Sequence, residues 1–496
     1  MLFNSLSFIL FFIIAYVVYL IIPKKVRMYW LLAASYFFYM NWNCAYALLL
    51  LASTAITYVC ARLMQKWAKP MLWVSIISNF GILFGFKYLN FAIDSVDKAL
   101  GLMFDNHMLS DFEIGVLLPV GISFYIFQAV GYTIDVYRKD VEPEKNFFSY
   151  ALFVSFFPQL VAGPIERSKR LLEQIRKIET IKAWDFDRMR SGFLVALYGY
   201  MLKTVIADRA AIYVNVVFDP TGYVFYKGFM VLTAIVLFAI QIYCDFAGYT
   251  YIAIGVARIF GFNLCTNFEQ PYLSRSVKEF WNRWHISLST YFRDYLYFPL
   301  GGSRKGKLRK CLNLLVVFLV SGLWHGASWH YVFWGLIHAV ARIIEELLMP
   351  IKKKTDEFLE KKGVIKTKNF SFGLWEGLMT FVFVSFAWVF FRAESLRQGV
   401  EIIINAFSEF NPWIFTDGTL INTSFEAKEW NILIVAVAIM IFIDVLKYRK
   451  IKLTDWYMKQ NAVFRWVFLT LAVVFIFLAG VYGPVYDATA FIYFQF

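Results

Sequence analysis

Long apolar stretches without any charge alternate along the chain with short segments that carry most of the charged residues. A helix needs about 20 apolar residues to cross the hydrocarbon core of a bilayer. Stretches long enough to do so, singly or as hairpins, are 1–23, 28–61, 70–86, 229–244, 311–341, 430–443 and 466–486. This pattern predicts an all-α polytopic membrane protein in one domain over residues 1–496, with about ten to twelve membrane-embedded helices.

Composition supports the same class, because 60% of the residues are hydrophobic and only 17% are charged, against about 25% in soluble domains. The net charge of +14 would indicate nucleic acid in a soluble protein. Here the basic residues lie mostly in short loops between apolar runs, as in membrane proteins. We therefore expect a lipid bilayer and no nucleic acid as the partner. The five cysteines lack CxxC or paired spacing, so neither a disulfide scaffold nor a metal site is predicted.

The charge of the loops predicts the orientation of the chain. Lys24, Lys25 and Arg27 follow the first apolar run, and residues 447–459 carry five basic residues against one acidic residue. Such loops favour the cytoplasm. The last apolar run then crosses outward, so the tail 487–496, which ends in FIYFQF, is predicted to be extracytoplasmic.

The run 311–341 has 31 uncharged residues between two basic flanks. One span needs about 20 residues and two need about 40, so flanks on the same side favour two short helices or a re-entrant hairpin. His325 lies at the expected turn, in SGLWHGASWH, between Gly322 and Gly326. An ionisable ring at that depth is costly unless it lines a cavity. The two glycines are expected to leave room for a ligand beside the ring.

A second polar segment, 274–302, mixes charged and aromatic residues and is expected to form amphipathic helices at the membrane interface. Its histidine, His285, would meet His325 only through the fold, if the segment lines a polar funnel. Gln241 and Asp245 lie at i and i+4 on one helix face. An intramembrane aspartate needs a partner or a cavity, which indicates a buried polar network, with a substrate role as the alternative.

The remaining polar features have simpler interpretations. His330 and His338 occupy the second arm of the hairpin and are expected to bond a backbone carbonyl each. Pro158 and Pro164 in FFPQLVAGPIERSK should break a helix, and broken helices at membrane depth line cavities.

Four segments of the chain resemble known sequences, in the family's order. They are FFPQLVAGPIERSK, QIYCDFAGYTYIAIG, FWNRWHISLSTYFRDYLYFPLGG and SGLWHGASWHYVFWGLIHA. Together they resemble the bacterial membrane-bound O-acyltransferase (MBOAT) family, in its alginate and peptidoglycan O-acetyltransferase-like branch, over essentially the whole chain. The resemblance implies about eleven transmembrane helices plus re-entrant and interfacial helices around a central funnel. It also implies that His325 is the catalytic histidine and His285 a second active-site histidine. Thr250 and Tyr251 depart from the Ser-Asp expected there, which leaves the role of that aspartate open.

The resemblance further implies acetyl-CoA as the acyl donor, an exported polysaccharide as the eventual acceptor, and the bacterial cytoplasmic membrane as the location. Arg304 and Lys305 either attract the phosphates of CoA or only set the topology. The candidate substrate-binding residues are Asn282, Trp284, Trp324, Gln241 and Asp245.

The tail FIYFQF resembles the end of a small membrane peptide in the D-alanylation system of teichoic acids. This resemblance implies that Tyr493 accepts the acyl group and passes it to an extracytoplasmic SGNH-type transferase with a serine nucleophile. The alternative is an aromatic belt at the outer interface. Two other functions stay open at this point. One is D-alanyl transfer to teichoic acid, and the other is transport or flipping of a lipid-linked sugar with intramembrane histidines as a proton relay.

Overall fold

All regular structure is helical in the computed structural model, which describes residues 1–104, 115, 118–161, 163–364, 366–367 and 369–482. The α-helices of this part of the chain are α1 (Leu6–Ile21), α2 (Arg27–Met40), α3 (Cys44–Leu63), α4 (Ala68–Leu83), α5 (Leu89–Phe104), α6 (Ile122–Tyr137), α7 (Phe147–Ser155), α8 (Phe157–Leu160), α9 (Ser168–Arg176), α10 (Phe186–Tyr200), α11 (Asp208–Val217), α12 (Phe229–Phe260), α13 (Val277–Arg283), α14 (Ile286–Phe292), α15 (Gly306–His325), α16 (Trp329–Lys361), α17 (Phe370–Arg392), α18 (Leu396–Ser408), α19 (Thr419–Ser424), α20 (Ala427–Tyr448), α21 (Leu453–Met458) and α22 (Ala462–Ala479). The predicted fold class is confirmed. The predictions for the tail 487–496 and for Tyr493 fall outside the described residues.

Seven helical stretches in the described ranges are long and apolar enough to cross a membrane. They are Cys44–Leu63, Ala68–Gly101, Phe229–Phe260, Gly306–His325, Phe370–Arg392, Ala427–Tyr448 and Ala462–Ala479. Helix α1 is also apolar but shorter. Large apolar side chains face outward on these helices, for example Phe477 and Leu478 on α22, as lipid contact requires. The chain is a multi-pass membrane protein, although the expected count of eleven spans is not confirmed.

The long helix α12 is largely buried and packs closely against α10. Two glycines on each helix make this approach possible. A Cβ atom built on Gly199 would lie 2.6 Å from the carbonyl oxygen of Gly248, and one on Gly192 would lie 2.7 Å from that of Gly255. Such small-residue contacts let two membrane helices pack backbone to backbone. They hold the polar face of α12 inside the protein.

Helices α15 and α16 form the hairpin predicted over 311–341, but its arms are longer than expected. Helix α15 begins within the basic flank and has 20 residues, while α16 continues through the charged segment after 341 and has 33 residues. The prediction of two short helices is therefore wrong, because lysine, arginine and glutamate are good helix formers and do not end a helix. The turn itself, residues 326–328, follows His325 as predicted.

In the part of the chain that the structure describes, three segments of π-helix interrupt the regular helices. They are Phe84–Tyr88 between α4 and α5, Met201–Ala207 between α10 and α11, and Arg293–Tyr297 after α14. A π-helical turn shifts the side chains that follow it around the helix, and such turns are frequent at functional sites. Each of the three contributes a charged side chain to the contacts described below.

Candidate active site

His285 and His325 lie side by side, although they belong to different helices. The centroids of the two imidazole rings are 6.4 Å apart. His325 is the last residue of α15 and is 3% exposed, while His285 directly precedes α14 and is fully buried. The fold therefore joins the two histidines that the sequence analysis singled out. Two imidazoles in one buried site can divide the tasks of proton acceptor and hydrogen-bond donor.

Aromatic rings form the walls around the two histidines. Among the described residues, three rings have centroids at 5.0, 5.1 and 5.2 Å from that of His325, and they belong to Trp324, Trp334 and Phe391. The ring of Phe246 lies 4.7 Å from that of His285. Walls of this kind exclude water, and electrostatic interactions inside them are stronger than in solvent.

The start of α14 is held by an asparagine and by an unusual backbone conformation. His285 has φ 43° and ψ 53°, which is the left-handed region. The next two N–H groups, those of Ile286 and Ser287, donate to the backbone and side-chain oxygens of Asn267 at 3.0 and 3.2 Å. Asn267, which is not adjacent to α14 in the sequence, thus accepts the hydrogen bonds that an N-cap residue would normally accept. The imidazole of His285 is thus fixed at a helix start whose first two N–H groups both have hydrogen-bond partners.

The broken helix predicted from FFPQLVAGPIERSK is present, and the segment after it forms a hydrogen bond to the start of α14. Helix α7 ends at Ser155, α8 has one turn, and the described residues between α8 and α9, which are 161 and 163–167, are non-helical. In this stretch the N–H of Ile165 donates to Oγ of Ser287 at 3.1 Å. Glu166 accepts the backbone N–H of Cys265, and burial raises the pKa of its carboxyl above the ordinary value. The segment braces the first turn of α14.

The two tryptophans predicted to bind substrate occupy different positions. Trp324 lies beside both histidines, with its ring 5.9 Å from that of His285 and 5.0 Å from that of His325. Its Nε1 has no hydrogen-bond partner among the described residues. Trp284 instead packs 4.9 Å from Trp388, inside an aromatic core. Asn282 is exposed on α13. The structure therefore brings Trp324 to the histidines, but not the side chain of Asn282.

Asp245 belongs to a buried ionic cluster. Nζ of Lys203 lies 2.6 Å from a carboxyl oxygen of Asp245 and 2.7 Å from one of Asp208, and none of the three side chains is more than 3% exposed. The buried polar network expected from the sequence is thus present. It adjoins the histidines, because Phe246 follows Asp245 in α12 and contacts His285.

The other candidates lie apart from the histidines or outside the described ranges. Gln241 is buried one turn before Asp245, and its Oε1 has no hydrogen-bond partner in the described part of the chain. Arg304 and Lys305 are exposed in the turn before α15. Tyr493 belongs to the tail that is not described.

The sequence predicts a backbone carbonyl as the hydrogen-bond partner of both His330 and His338, and this prediction is confirmed for His330 only. Nδ1 of His330 donates to the carbonyl of Phe390 at 3.0 Å, as predicted. Nδ1 of His338 instead accepts the indole N–H of Trp281 at 3.2 Å. The prediction of a carbonyl partner is wrong there, because an aromatic cluster rather than a neighbouring backbone faces that side of α16.

The glycines beside His325 serve helix packing rather than ligand binding. A Cβ atom on Gly322 would collide with the carbonyl oxygen of Tyr331, and one on Gly326 would collide with the ring of Tyr331. The expected room for a ligand is therefore filled by α16. A small cavity of about 40 Å³ does adjoin His325 on another side, where Lys87, Gly121 and Trp324 are among its lining residues.

Sequence reasoning missed two lysines, Lys87 and Lys203. Each lies in a π-helical segment and is in contact with the site or its neighbourhood. The available signal was a single lysine within or directly after an apolar run. A charge at that place suggests the end of a span, but the helical stretch Ala68–Gly101 continues through Lys87.

A larger pocket of about 690 Å³ opens beside the third π-helical segment. Its lining includes Arg138, Arg167, Lys169, Asp294 and Tyr295. Arg167 forms an ion pair with Asp294 at 2.6 Å, and its guanidinium lies over the ring of Tyr295. This pocket can receive a polar, charged group. Within the described ranges no cluster of three or more metal-ligating side chains is present.

Comparison with known proteins identifies the family. The model of MBOAT, the membrane-bound O-acyltransferase family, matches residues 18–387. The chain is 36% identical over 453 residues to the probable alginate O-acetylase AlgI of Pseudomonas syringae pv. tomato, a match that covers 89% of this chain and 81% of that protein. It is 33% identical over 404 residues to the peptidoglycan O-acetyltransferase of Helicobacter pylori, which covers 75% and 72%.

A more distant match bears on the alternative acyl group. The teichoic acid D-alanyltransferase of Streptococcus thermophilus is 29% identical over 259 residues, which covers 49% of this chain and 61% of that protein. The family match includes α14 and α15 with both buried histidines. The chain belongs to the membrane-bound O-acyltransferase family and is an acyltransferase.

Proposed function

We propose that this protein is an O-acetyltransferase that takes acetyl from cytoplasmic acetyl-CoA and passes it across the cytoplasmic membrane toward an extracytoplasmic polysaccharide. The observation that carries the proposal is the pair of buried imidazoles, with ring centroids 6.4 Å apart, inside an aromatic wall. The names of the relatives, alginate O-acetylase and peptidoglycan O-acetyltransferase, support acetyl as the group and a polysaccharide as the destination.

His325 acts as the general base in this proposal. The acceptor hydroxyl gives its proton to the imidazole while its oxygen attacks the carbonyl carbon of the thioester. The carbon–sulfur bond then breaks, and the thiolate takes the proton from the imidazolium, which regenerates the base. His285 either orients the acceptor or donates to the carbonyl oxygen as negative charge develops there. The free indole N–H of Trp324 is a second donor beside both rings.

The donor enters from the side of the 690 Å³ pocket. Its cations, Arg138, Arg167 and Lys169, suit the phosphates of CoA, which guanidinium groups bind through paired hydrogen bonds. Arg304 and Lys305 remain candidates for attraction of the donor at longer range. The pocket adjoins α14 through the π-helical segment Arg293–Tyr297, so a bound thioester would point along α14 toward His285.

The acceptor on the other side is Tyr493, which carries acetyl to an SGNH-type partner. The chain leaves α22 beside the ionic cluster, where the carbonyl of Ala479 accepts Arg209 at 2.6 Å and the N–H of Val481 donates to Thr204 at 2.9 Å. About eleven extended residues from there to Tyr493 span up to about 38 Å, which is enough to re-enter the protein. The phenolate of a phenyl ester is a good leaving group. When a serine hydroxyl attacks the acetyl carbon, the bond to the tyrosine oxygen breaks, and the phenolate takes up the serine's proton to return the phenol.

The experiment is acetyl transfer from radiolabelled acetyl-CoA by the purified full-length protein, followed by mass spectrometry of a C-terminal peptide. Wild type should carry an acetyl group on Tyr493, whereas His325→Ala and Tyr493→Phe should not. Tyr482→Phe is the matched control, because it removes a phenol that donates to the carbonyl of Ile476. An unmodified tail during turnover, with Tyr493→Phe fully active, would eliminate the tyrosine carrier.

Two alternatives are less well supported. Membership of an acyltransferase family favours an enzyme over a transporter of lipid-linked sugars. A D-alanyl transferase shares the family, but the match to such a protein covers only 49% of this chain. Competition between labelled acetyl-CoA and a D-alanyl thioester donor would distinguish the two acyl groups.

A further inference from the structure

A lysine side chain from the second membrane-embedded region reaches the end of α15. Nζ of Lys87 donates to the carbonyl oxygens of Trp324 and His325 at 2.7 and 3.2 Å. The hydroxyl of the next residue, Tyr88, donates to the carbonyl of Leu323 at 3.0 Å. Three consecutive carbonyls at the end of α15 therefore accept hydrogen bonds from two neighbouring side chains of the π-helical segment.

These bonds meet a definite need of the helix. The last four carbonyls of an α-helix have no partner within the helix, and at membrane depth no bulk water is available to them. The end of α15 also carries the negative end of the helix dipole, which a cation stabilises. Lys87 and Tyr88 supply both the donors and the charge.

An ionisable side chain at the position of Lys87 costs free energy, which indicates that its contacts with α15 have a function. It lies inside Ala68–Gly101, one of the stretches apolar enough to cross the membrane. Ionisable side chains inside such stretches are rare and mark functional sites. The segment Phe84–Tyr88 is π-helical, and it is this segment that brings Lys87 and Tyr88 to the same helix end.

We propose that Lys87 is a positioning residue for acyl transfer. It holds the last turn of α15, and thereby keeps the imidazole of His325 in register with that of His285. The small cavity that Lys87 and His325 both line places the ammonium and the imidazole at the same opening. This inference depends on the proposed function for its kinetic consequence, but its structural consequence can be measured without turnover.

The test compares Lys87→Met, Lys87→Arg and Tyr88→Phe in the full-length protein. Lys98→Met is the matched control, since Lys98 is exposed at the other end of the same helical stretch and pairs only with Asp94, at 2.8 Å, among the contacts described. Lys87→Met should lower kcat about 10–100-fold with KM for acetyl-CoA changed less than about twofold, because misplacement of a reacting group costs rate rather than binding. Lys87→Arg should recover much of the rate, and Tyr88→Phe should lower it about two- to fivefold.

Hydrogen exchange gives the readout that does not need activity. In Lys87→Met, amides in a peptide covering 320–330 should exchange faster than in wild type, with the unfolding temperature little changed, whereas Lys98→Met should match wild type. If wild type transfers no acetyl from acetyl-CoA, the proposed function fails and the exchange data alone decide the anchoring. Unchanged exchange at 320–330, or unchanged kcat in an active enzyme, would overturn the inference.

Discussion

Two buried polar sites lie next to each other in this membrane protein, and their polar groups are stabilised in different ways. The Lys203 cluster brings three charged side chains together at 2.6 and 2.7 Å. The histidine site holds two imidazoles, which can be neutral, within a wall of aromatic rings. Phe246, which follows Asp245 in α12, packs against His285 and so links the two sites.

This difference suggests that the Lys203 cluster stabilises the fold, whereas the histidine site suits the proposed proton transfer. Removal of one partner from a buried ion pair leaves an uncompensated charge, so such clusters tie the fold to its correct arrangement. A neutral imidazole among aromatic rings adds little stability beyond that of another ring-sized side chain, yet its unprotonated nitrogen can accept a proton from a reacting group. We therefore expect mutations at the two sites to act on different measured quantities.

The largest expected effect is on catalysis, at His325. His325→Gln keeps most of the side-chain volume but removes the base, and should lower kcat for acetyl transfer by about 10²–10⁴-fold, the usual contribution of general base catalysis. Its unfolding temperature in detergent should stay within a few degrees of wild type. Loss of folding in place of loss of turnover would remove the contrast between the two sites.

The next effect is on stability, at Asp245. Asp245→Asn removes one of the two carboxylates that contact Lys203 among the described residues. Because the ammonium keeps Asp208 as a charged partner, the free energy of unfolding should fall by about 1.5–3 kcal/mol, the usual value of a hydrogen bond to a charged group. Thermal unfolding in detergent measures this loss of stability, with Asp94→Asn at an exposed position as the control. A raised KM for the acceptor at unchanged stability would instead give Asp245 the substrate role that the sequence left open.

The smallest effect is expected at a histidine outside both sites. His330→Leu loses the hydrogen bond to Phe390, which should cost about 1 kcal/mol of stability and leave kcat within about twofold of wild type. Parallel assays of His330→Leu and His325→Gln test whether turnover depends on the position of the histidine that is lost. A large loss of turnover in His330→Leu would extend the active site along α16.

The sequence predicted the elements better than the contacts between them. Uncharged runs marked membrane helices, and His325 beside glycines marked the turn after α15, because apolar length and turn chemistry are local properties. Lys87 and Lys203 were missed because their partners lie on other helices. The direction in which a side chain points at or after the end of α13 depends on packing. The positions of Asn282 and Trp284 therefore could not be predicted from how close they are to His285 in the sequence.

The left-handed backbone at His285 carries a consequence for how the enzyme can change over time. A non-glycine residue in that region costs about 1–2 kcal/mol, and glycine would occupy it more easily. The chain nevertheless has an imidazole there, between Trp284 in the aromatic core and the first turn of α14. Selection for folding alone would drift toward glycine at this position. If His285 acts in the reaction as proposed, a relative with glycine at this position would keep the scaffold and lose the reaction.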